Sequence, residues 1–369
     1  MEWSEYQNQQ LHLDELVSII IVSYNYNNIG LSLTRNCLKW LLKNTIYPNF
    51  EVIVVNYGSK EKLTIDELFD SELLAKVKRV VILNTPHNIG YSGANNIALK
   101  QSRGRFVVLL NNDTRVTKGW LWQLYRTIKV SNDNVAAVQS KLLLMDFTNR
   151  IDSVGHVINP IGFLRAKGYL ERDQGQYDRE LKICVIQPAA CIIRRDVLKK
   201  IGLFDSMFFW GHEDTDFSLR ARICGYELIL EPKSIVYHKR SATISRMPEE
   251  FVVYYSRRNI LLTMLKTYQV RTLIRVLPLH LFVILIILMW YLWNRKYGCF
   301  LAVIRALFWI MRNFKLVVEK RRRVQQTRKI SDRELFRVMD KINFHYLLRA
   351  RKYGSLTTLH LELAERLRN

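Results

Sequence analysis

A carboxylate that follows an apolar run is the first side chain in this sequence that could do chemistry. Asp113 ends the tripeptide Asn111-Asn112-Asp113, which directly follows the run FVVLL. A carboxylate at the end of a buried strand can hold a divalent cation against a diphosphate, because Mg²⁺ and Mn²⁺ prefer a few carboxylate or imidazole ligands together with phosphate oxygens. Such a cation would neutralise a departing diphosphate. The alternative is an ordinary turn, which Asn and Asp also favour.

Three carboxylates lie close together further along the chain. Glu213, Asp214 and Asp216, hereafter the acidic cluster, begin a predicted helix that ends at Gly225. Acidic residues at a helix start also act as caps and offset the helix dipole, which accounts for one or two of them. Because neighbouring carboxylates raise each other's proton affinity, one of the three is suited to general base catalysis. We predict Asp214 as the base, Glu213 as a group that orients it or holds an acceptor hydroxyl, and Asp216 as structural.

His238 is the third candidate. It ends a predicted strand and is followed by Lys239-Arg240-Ser241-Ala242-Thr243, whose cationic and hydroxyl groups suit a phosphate. A single histidine more commonly fills a core or surface position. Its place where the chain leaves the folded body makes it a candidate site residue.

Alternating strands and helices must position these side chains. Short apolar runs are each followed by a polar loop, and they cover residues 16–23, 50–55, 80–83 and 106–110. Helical spacing follows the first three runs, over 31–42, 65–75 and 90–101. This alternation predicts an α/β fold with a mostly parallel central sheet covered on both faces. Ligands bind at the carboxyl ends of such strands, and all four runs lead into Asn, Ser or Asp.

The next part of the chain has a mixed pattern. Strands are predicted at 135–139, 185–194, 228–230 and 234–238, and helices at 196–201 and 214–224. The folded body is expected to end near residues 244–248.

Charge is unevenly distributed along the 369 residues. The chain has 56 Lys and Arg against 33 Asp and Glu, a net charge of +23, of which +18 lies from Phe251 onward. So large an excess indicates an anionic partner. Residues 276–293 carry no formal charge, and a second apolar run at 300–311 precedes the basic cluster Lys320-Arg321-Arg322-Arg323.

The uncharged run of residues 276–293 is at the lower length limit for a spanning helix. Basic residues flank it on both sides, which favours a re-entrant or in-plane pair of helices over a single crossing. We therefore expect a peripheral or monotopic protein that contacts anionic lipids. One alternative is a dimer interface in a soluble protein. Another is nucleic-acid binding by the basic tail, in which Phe344, Tyr346 and Tyr353 are interleaved, but the uncharged run argues for lipid.

The cysteines and the N-terminal residues indicate which cellular compartment to expect. The five cysteines are scattered and never form a C-x-x-C, so we expect neither a disulfide framework nor a thiolate zinc site. Residues 1–16 carry four acidic side chains and no apolar stretch. From this we expect no signal peptide and a body that stays in the cytosol.

Six segments, in this order and spacing, resemble family 2 glycosyltransferases, and in particular their rhamnosyltransferase-like branch. They lie between residues 17 and 259 and are VSIIIVSYN, FEVIVVNYGS, NIGYSGANNIAL, VLLNNDT, CIIRRDVLKKIGLFDSMFFWGHEDTDFSLR and the histidine of VYHKRSAT. The resemblance implies a GT-A fold, which is Rossmann-like and binds nucleotide-sugars. It also implies direct displacement at the anomeric carbon with inversion.

The resemblance assigns a nucleotide-sugar pocket by position. Its matching residues are Ser23, Tyr24, Asn25, Asn56, Asn88, Gly90, Asn96, Asn111, Asn112 and Asp113. Of these, Ser23, Tyr24 and Asn25 would contact the base and ribose. Asn56 stands where the family usually has an aspartate facing the nucleobase, which leaves the identity of the base open.

The resemblance also assigns the metal and the base. Asn112 and Asp113 stand in the family's D-x-D position, so Asp113 would bind Mg²⁺ or Mn²⁺ with His238 as a second ligand. Asp214 falls on the catalytic aspartate. The dipeptide Gly211-His212, which precedes the pair Glu213-Asp214, departs from the family pattern at that place. The contacts with the acceptor are therefore left open.

These observations predict three parts: an N-terminal extension (1–16), a GT-A catalytic domain (17–250) and a helical membrane-associating region (251–369). The catalytic domain would have a nucleotide-binding half (17–115) and an acceptor-binding half (116–250). The expected reaction moves a sugar from dTDP-rhamnose or a UDP-sugar to a hydroxyl of a lipid-linked glycan. It would occur at the cytosolic membrane face, in cell-surface polysaccharide synthesis. A catalytically inactive GT-A scaffold is the remaining alternative. We expect no nucleic-acid partner and leave a homodimer open.

Overall fold

The computed structural model describes residues 15–24, 29–59, 62–69, 71–179, 181–240 and 247–342. The first part of the chain alternates strands and helices. In order these are β1 (Val17–Tyr24), α1 (Ile29–Asn44), β2 (Phe50–Tyr57), α2 (Ile65–Leu68), α3 (Ser71–Leu74), β3 (Arg79–Thr85), α4 (Gly90–Gln101) and β4 (Phe106–Asn111).

A mixed region and a helical region follow. The mixed region contains β5 (Thr114–Val116), α5 (Trp120–Val130), β6 (Val135–Leu144), β7 (Ile151–Ser153), β8 (His156–Ile158), β9 (Leu164–Ala166), β10 (Leu181–Lys182), β11 (Ala190–Arg194), α6 (Arg195–Ile201), a 3₁₀ turn (Ser206–Phe208), α7 (Glu213–Ile223) and β12 (Glu227–His238). The helical region contains α8 (Glu249–Thr267), α9 (Val270–Trp293), α10 (Tyr297–Arg312), α11 (Phe314–Gln326) and α12 (Asp332–Phe336). The aromatic residues Phe344, Tyr346 and Tyr353 lie outside the described residues.

A large mixed sheet organises the body, with strand order β10-β12-β6-β11-β4-β1-β2-β3, β5 beside β12 and β7 beside β6. Strands β3, β2, β1 and β4 are mutually parallel, whereas β11 runs antiparallel to β4. The parallel register places Ser23 opposite Asn56 and Asn56 opposite Asn84. The predicted α/β fold with a mostly parallel central sheet is therefore confirmed, and the polar strand ends lie along one edge.

Both faces of the sheet are buried, which explains why the strands are continuously apolar instead of alternating. One face packs against α1 and α5 through residues such as Leu38 and Trp120, and the other packs against α4 and α7 through Ala94 and Phe217. Each buried Leu side chain contributes roughly 1.5–3 kcal/mol.

Four predicted elements differ in the structure. The strands predicted at 228–230 and 234–238 form the single strand β12, with an irregularity between Glu231 and Ile235, where Pro232 has no N–H to donate. The strand predicted at 185–194 is shortened to β11, after Pro188. The helix predicted at 65–75 is two short helices, because the backbone at Phe69 is extended.

Helix α8 packs directly against the body. Asn259 Nδ2 lies 2.7–2.9 Å from the carbonyl oxygens of Phe208, Trp210 and Gly211. Lys266 is fully buried, and its Nζ lies 2.8 Å from Asp205 Oδ2. The boundary predicted between residues 250 and 251 falls inside α8, and the division into separate domains stays a prediction.

Lys266 also lies 2.7 Å from Asp216 Oδ1 at the start of α7, so its amine compensates two buried carboxylates. We expect Lys266→Met to lower the free energy of unfolding by about 3–5 kcal/mol, because it leaves buried charge unpaired. Lys320 contacts the same Asp205 but is 30% exposed, so Lys320→Met is expected to cost only about 0–1 kcal/mol. Denaturant unfolding of both variants in one detergent measures the difference. Equal losses would contradict the assigned role of Lys266.

Candidate functional site

Strand pairing brings Asp113 and His238 together. Strand β5 pairs antiparallel with the end of β12, with His238 opposite Thr114. As a result His238 Nε2 lies 3.2 Å from Asp113 Oδ1, and the N–H of Lys239 donates to the carbonyl of Asp113 at 2.9 Å. The two residues that the resemblance assigned to a metal are thus neighbours.

A buried aspartate that the sequence did not single out holds the other side of this imidazole. Asp152 Oδ2 lies 2.8 Å from His238 Nδ1. Asp152 also forms an ion pair with Arg240 and accepts a hydrogen bond from Gln187 at 3.3 Å. Burial opposes ionisation of Asp152, but Arg240 and His238 outweigh it and hold its pKa below the usual range. Carboxylate contacts of this kind fix the tautomer and orientation of a metal-binding histidine.

These residues fit a divalent cation that is shared with a diphosphate. Among the described residues, no three His, Cys, Asp or Glu side chains are arranged to hold a metal ion alone. Asp113 and His238 would therefore supply two ligands, and phosphate oxygens the others. Burial alone would lower the pKa of His238, but Asp113 and Asp152 raise it to about 10. The excess negative charge that raises this pKa also favours a bound cation.

Asn111 and Asn112 contact the neighbouring elements. Asn111 Oδ1 accepts a hydrogen bond from the Tyr91 hydroxyl at 2.9 Å. Asn112 Nδ2 donates to Thr34 Oγ1 at 3.1 Å, and that oxygen lies 2.8 Å from Ser23 Oγ. The end of β4 is thereby connected to the end of β1, where the base and ribose are expected.

The predicted base pocket lies at the ends of β1 and β2. The rings of Tyr24 and Tyr57 stack with centroids 5.2 Å apart. Asn56 is buried and donates to Asn84 Oδ1 at 3.0 Å. Asn25 lies outside the described residues, and contacts of Tyr24 and Asn56 with a nucleobase stay predictions.

Asn88, Gly90 and Asn96 connect α4 to the segment that precedes the acidic cluster. Asn88 Oδ1 accepts from the N–H of Gly90 at 3.0 Å. Gly90 has φ +72°, and a Cβ there would lie 2.3 Å from the carbonyl oxygen of Phe209, so only glycine fits. Asn96 both donates to and accepts from the backbone of Phe204, at 2.7 and 3.2 Å. These contacts assign the three residues at least a structural role, and their contact with a donor stays a prediction.

The acidic cluster lies at the buried start of α7. His212 precedes it with φ +63°, and the N–H of Thr215 donates to Asp214 Oδ1 at 2.7 Å. Asp216 is held by Arg220 at 2.7 Å and by Lys266, which agrees with the predicted structural role.

A second residue that the sequence missed lies beside Asp214. His156 of β8 places Nδ1 3.5 Å from Asp214 Oδ2. Burial opposes ionisation of Asp214, but His156 and His212 lower its pKa. The sequence offers no signal for this contact, because β8 is only three residues long and its histidine is isolated.

Known proteins with similar sequence and fold identify the family of this chain. Residues 18–202, half of the chain, match the family model described as Glycosyl transferase family 2. The chain belongs to glycosyltransferase family 2. The fold of this glycosyltransferase resembles the crystal structure of GalNAc-T7 with UDP, GalNAc and Mn²⁺, with a TM-score of 0.52 and 16% identity, over 72% of this chain and 49% of that chain. The predicted GT-A fold is therefore confirmed.

Two named relatives cover part of this glycosyltransferase. The O-antigen biosynthesis protein RfbC of Myxococcus xanthus is 28% identical over 221 residues, which is 57% of this chain and 16% of that protein. The UDP-Glc:alpha-D-GlcNAc-diphosphoundecaprenol beta-1,3-glucosyltransferase WfaP of Escherichia coli is 25% identical over 188 residues, which is 51% of this chain and 64% of that protein. The chain thus spans less than two thirds of either relative, and the rhamnosyltransferase-like branch stays a prediction.

In this glycosyltransferase the pKa values of Glu213 and Asp214 are shifted in opposite directions. Burial, with Asp214 as a second cause, raises the pKa of Glu213 to about 8. Glu213 Oε2 is buried and has no hydrogen-bond partner among the described residues. At neutral pH the pair therefore carries its proton on Glu213 and its charge on Asp214.

This assignment predicts a pH-dependent difference in stability. The folded state keeps the Glu213 proton up to about pH 8, whereas the unfolded state loses it near about pH 4.3. The contribution of Glu213 is therefore complete at low pH and is lost as the pH rises toward 8. We expect the free energy of unfolding of the wild type to fall relative to Glu213→Gln between about pH 5 and 8, as measured by denaturant titration. The exposed Glu72→Gln should track the wild type, and a pH-independent difference for Glu213→Gln would contradict the assignment.

Proposed function

We propose that this glycosyltransferase moves a sugar from a nucleotide-diphosphate sugar to a hydroxyl of a lipid-linked glycan, with inversion at the anomeric carbon. The observation that carries the proposal is the position of Tyr91 between the end of β4 and the acidic cluster. Its hydroxyl donates to Asn111 beside Asp113, and its pKa is raised first by burial and then by Glu213. These two contacts of Tyr91 support a single site for the donor and the acidic cluster.

The donor diphosphate would lie at the Asp113–His238 pair. Asp113 and His238 would hold Mg²⁺ or Mn²⁺, which when bound neutralises the charge on the departing diphosphate. Mn²⁺ and UDP are named in the GalNAc-T7 structure, which supports this choice of group. Asp152 keeps the His238 ring in place, so Nε2 faces Asp113.

The acceptor hydroxyl would lie at the acidic cluster. Asp214, ionised at neutral pH, takes the hydroxyl proton while the oxygen attacks the anomeric carbon from the face opposite the diphosphate. The bond from that carbon to the diphosphate oxygen breaks, which inverts the configuration. Glu213 keeps its proton and can donate a hydrogen bond to the acceptor.

A lipid-linked acceptor and cell-surface polysaccharide synthesis are supported by the names of the relatives. WfaP is named for an acceptor on diphosphoundecaprenol and RfbC for O-antigen biosynthesis. Within the described residues, α9 is long and apolar enough to cross a membrane by length and composition. We propose that the enzyme works at the cytosolic membrane face with dTDP-rhamnose or a UDP-sugar as donor.

Asp214→Asn tests the base. The substitution keeps the shape of the side chain and removes proton acceptance, so the rate of sugar transfer should fall by roughly 10²- to 10⁴-fold. Nucleotide binding, measured by titration calorimetry, should be unchanged. Asp133→Asn, at an exposed carboxylate of the body, is the matched control and should transfer sugar at the wild-type rate. Turnover in Asp214→Asn at the rate of this control would refute the assignment.

Asp113→Ala tests the metal ligands. We expect this variant to lose most of the Mn²⁺-dependent part of nucleotide binding, because a carboxylate ligand is removed. A chelator should abolish sugar transfer by the wild type. Asp133→Ala provides the control for the loss of a carboxylate elsewhere. Nucleotide binding that is equal with Mn²⁺ and with chelator would show that no metal takes part.

A further inference from the structure

Helix α9 has one face fixed to the protein along its length. Val276, Ile284 and Tyr291 are buried on this face, and His280 Nδ1 lies 2.8 Å from the carbonyl oxygen of Ile161 in the turn between β8 and β9. The same turn also packs tightly on α8, since a Cβ at Gly162 would lie 2.8 Å from Ile260 of that helix. Helix α9 is therefore packed on the body and is not a free hydrophobic segment.

Both ends of α9 are also held by other helices of the helical region. At its start, the N–H of Gln269 donates to Asp332 Oδ2 at 2.6 Å. Just after its end, Lys296 Nζ lies 2.9 Å from Glu249 Oε2 at the beginning of α8. A helix that spans a bilayer must place its ends on opposite sides of about 30 Å of hydrocarbon. With these contacts intact, spanning by α9 would carry α8, which packs on the body through Asn259, across the same depth of the bilayer.

The opposite face of α9 is exposed and apolar. Ile274, Phe282, Leu285 and Met289 recur at helical spacing and are 69%, 60%, 53% and 61% exposed. Exposed apolar side chains continue onto the adjacent α10, where Phe308 is 60% exposed. We call the exposed apolar residues of α9, α10 and α11 the apolar surface. Apolar patches of this extent are uncommon on soluble monomers and mark interaction sites.

Positive charge borders the apolar surface. Residues 251–318 contain no Asp or Glu, and Arg271 and Arg275 are exposed in the first turns of α9. Beside this start a groove of about 480 Å³ is lined in part by Arg321 and Arg322. The guanidinium of Arg321 is oriented by the carbonyl oxygens of Leu265 and Tyr268, at 2.5 and 2.6 Å. A basic border of this kind is complementary to anionic lipid headgroups.

We propose that the apolar surface docks on one leaflet of an anionic membrane, with α9 lying in the membrane plane and Arg271, Arg275 and the Arg321–Arg322 groove at the headgroups. The apolar side chains enter the boundary between headgroups and acyl chains, as in monotopic helices. The proposal deepens the proposed function by naming the membrane partner, and it needs no catalytic turnover.

Vesicle binding tests the surface. The full chain should float with vesicles of phosphatidylcholine and phosphatidylglycerol, and more weakly with phosphatidylcholine alone. The double variant Phe282→Glu/Leu285→Glu should bind roughly tenfold or more weakly, because it places charge at the acyl boundary. Val130→Glu is the matched control, because Val130 is 66% exposed on α5 of the body and should not affect vesicle binding. Arg271→Gln/Arg275→Gln should remove most of the preference for phosphatidylglycerol.

Topology is tested by labelling the two ends of α9. The five native cysteines are buried, so Arg271→Cys and Asn294→Cys provide exposed thiols. In sealed inverted membrane vesicles a membrane-impermeant maleimide should label both positions alike. Labelling of only one end would overturn the in-plane arrangement in favour of a span.

Two further outcomes would also overturn the proposal. One is a detergent-free soluble dimer that does not float with vesicles, and the other is equal vesicle binding by the Phe282→Glu/Leu285→Glu variant and the wild type. Nucleotide binding by that variant checks its folding. Loss of vesicle binding with intact nucleotide binding concerns only the membrane surface, whereas turnover by Asp214→Asn concerns only the proposed reaction.

Discussion

Buried negative charge at the start of α7 is the constraint on which the surrounding structure depends. Carboxylates removed from water are tolerated only when cations or hydrogen-bond donors compensate them. Asp216 is compensated by Arg220 of its own helix and by Lys266 of α8, and Asp214 is approached by His156 of β8. Among the described residues no cation pairs with Glu213, whose pKa is raised by burial and then by Asp214, so that it keeps its proton. Distant parts of the chain are therefore needed to form one acidic site.

The same rule governs the other half of the site. Asp152 is fully buried and is compensated by Arg240 and His238, and the far side of that imidazole faces Asp113. This row of charges exists only because β12 ends beside β5. The length of β12 thus decides where the imidazole lies, and the irregularity at Pro232 lets the strand pass its proline without losing the pairing at its end.

Much of this arrangement was predictable, and the parts that were not share one property. The strands β1, β2 and β4 are visible as apolar runs because both sheet faces are buried. Asp113, Asp214 and His238 could be found because each lies at the end of an element. Asp152, His156 and Lys266 are single residues whose partners are distant in sequence, so no local pattern marks them. The apolar runs at 276–293 and 300–311 likewise indicated α9 and α10, but they could not show that α8 packs on the acidic cluster.

The hairpin of β8 and β9 connects the two functions that we propose. Its strand β8 carries His156, which contacts Asp214, and its turn contacts His280 of α9 through Ile161. The backbone of Ile158 also accepts a hydrogen bond from Asp340, beyond α12. In the proposed orientation, the height of Asp214 above the leaflet is therefore set by the packing of these elements on one another. An acceptor hydroxyl carried on a lipid would meet the base at a fixed distance from the membrane, which restricts the acceptors to those whose reactive sugar reaches that height.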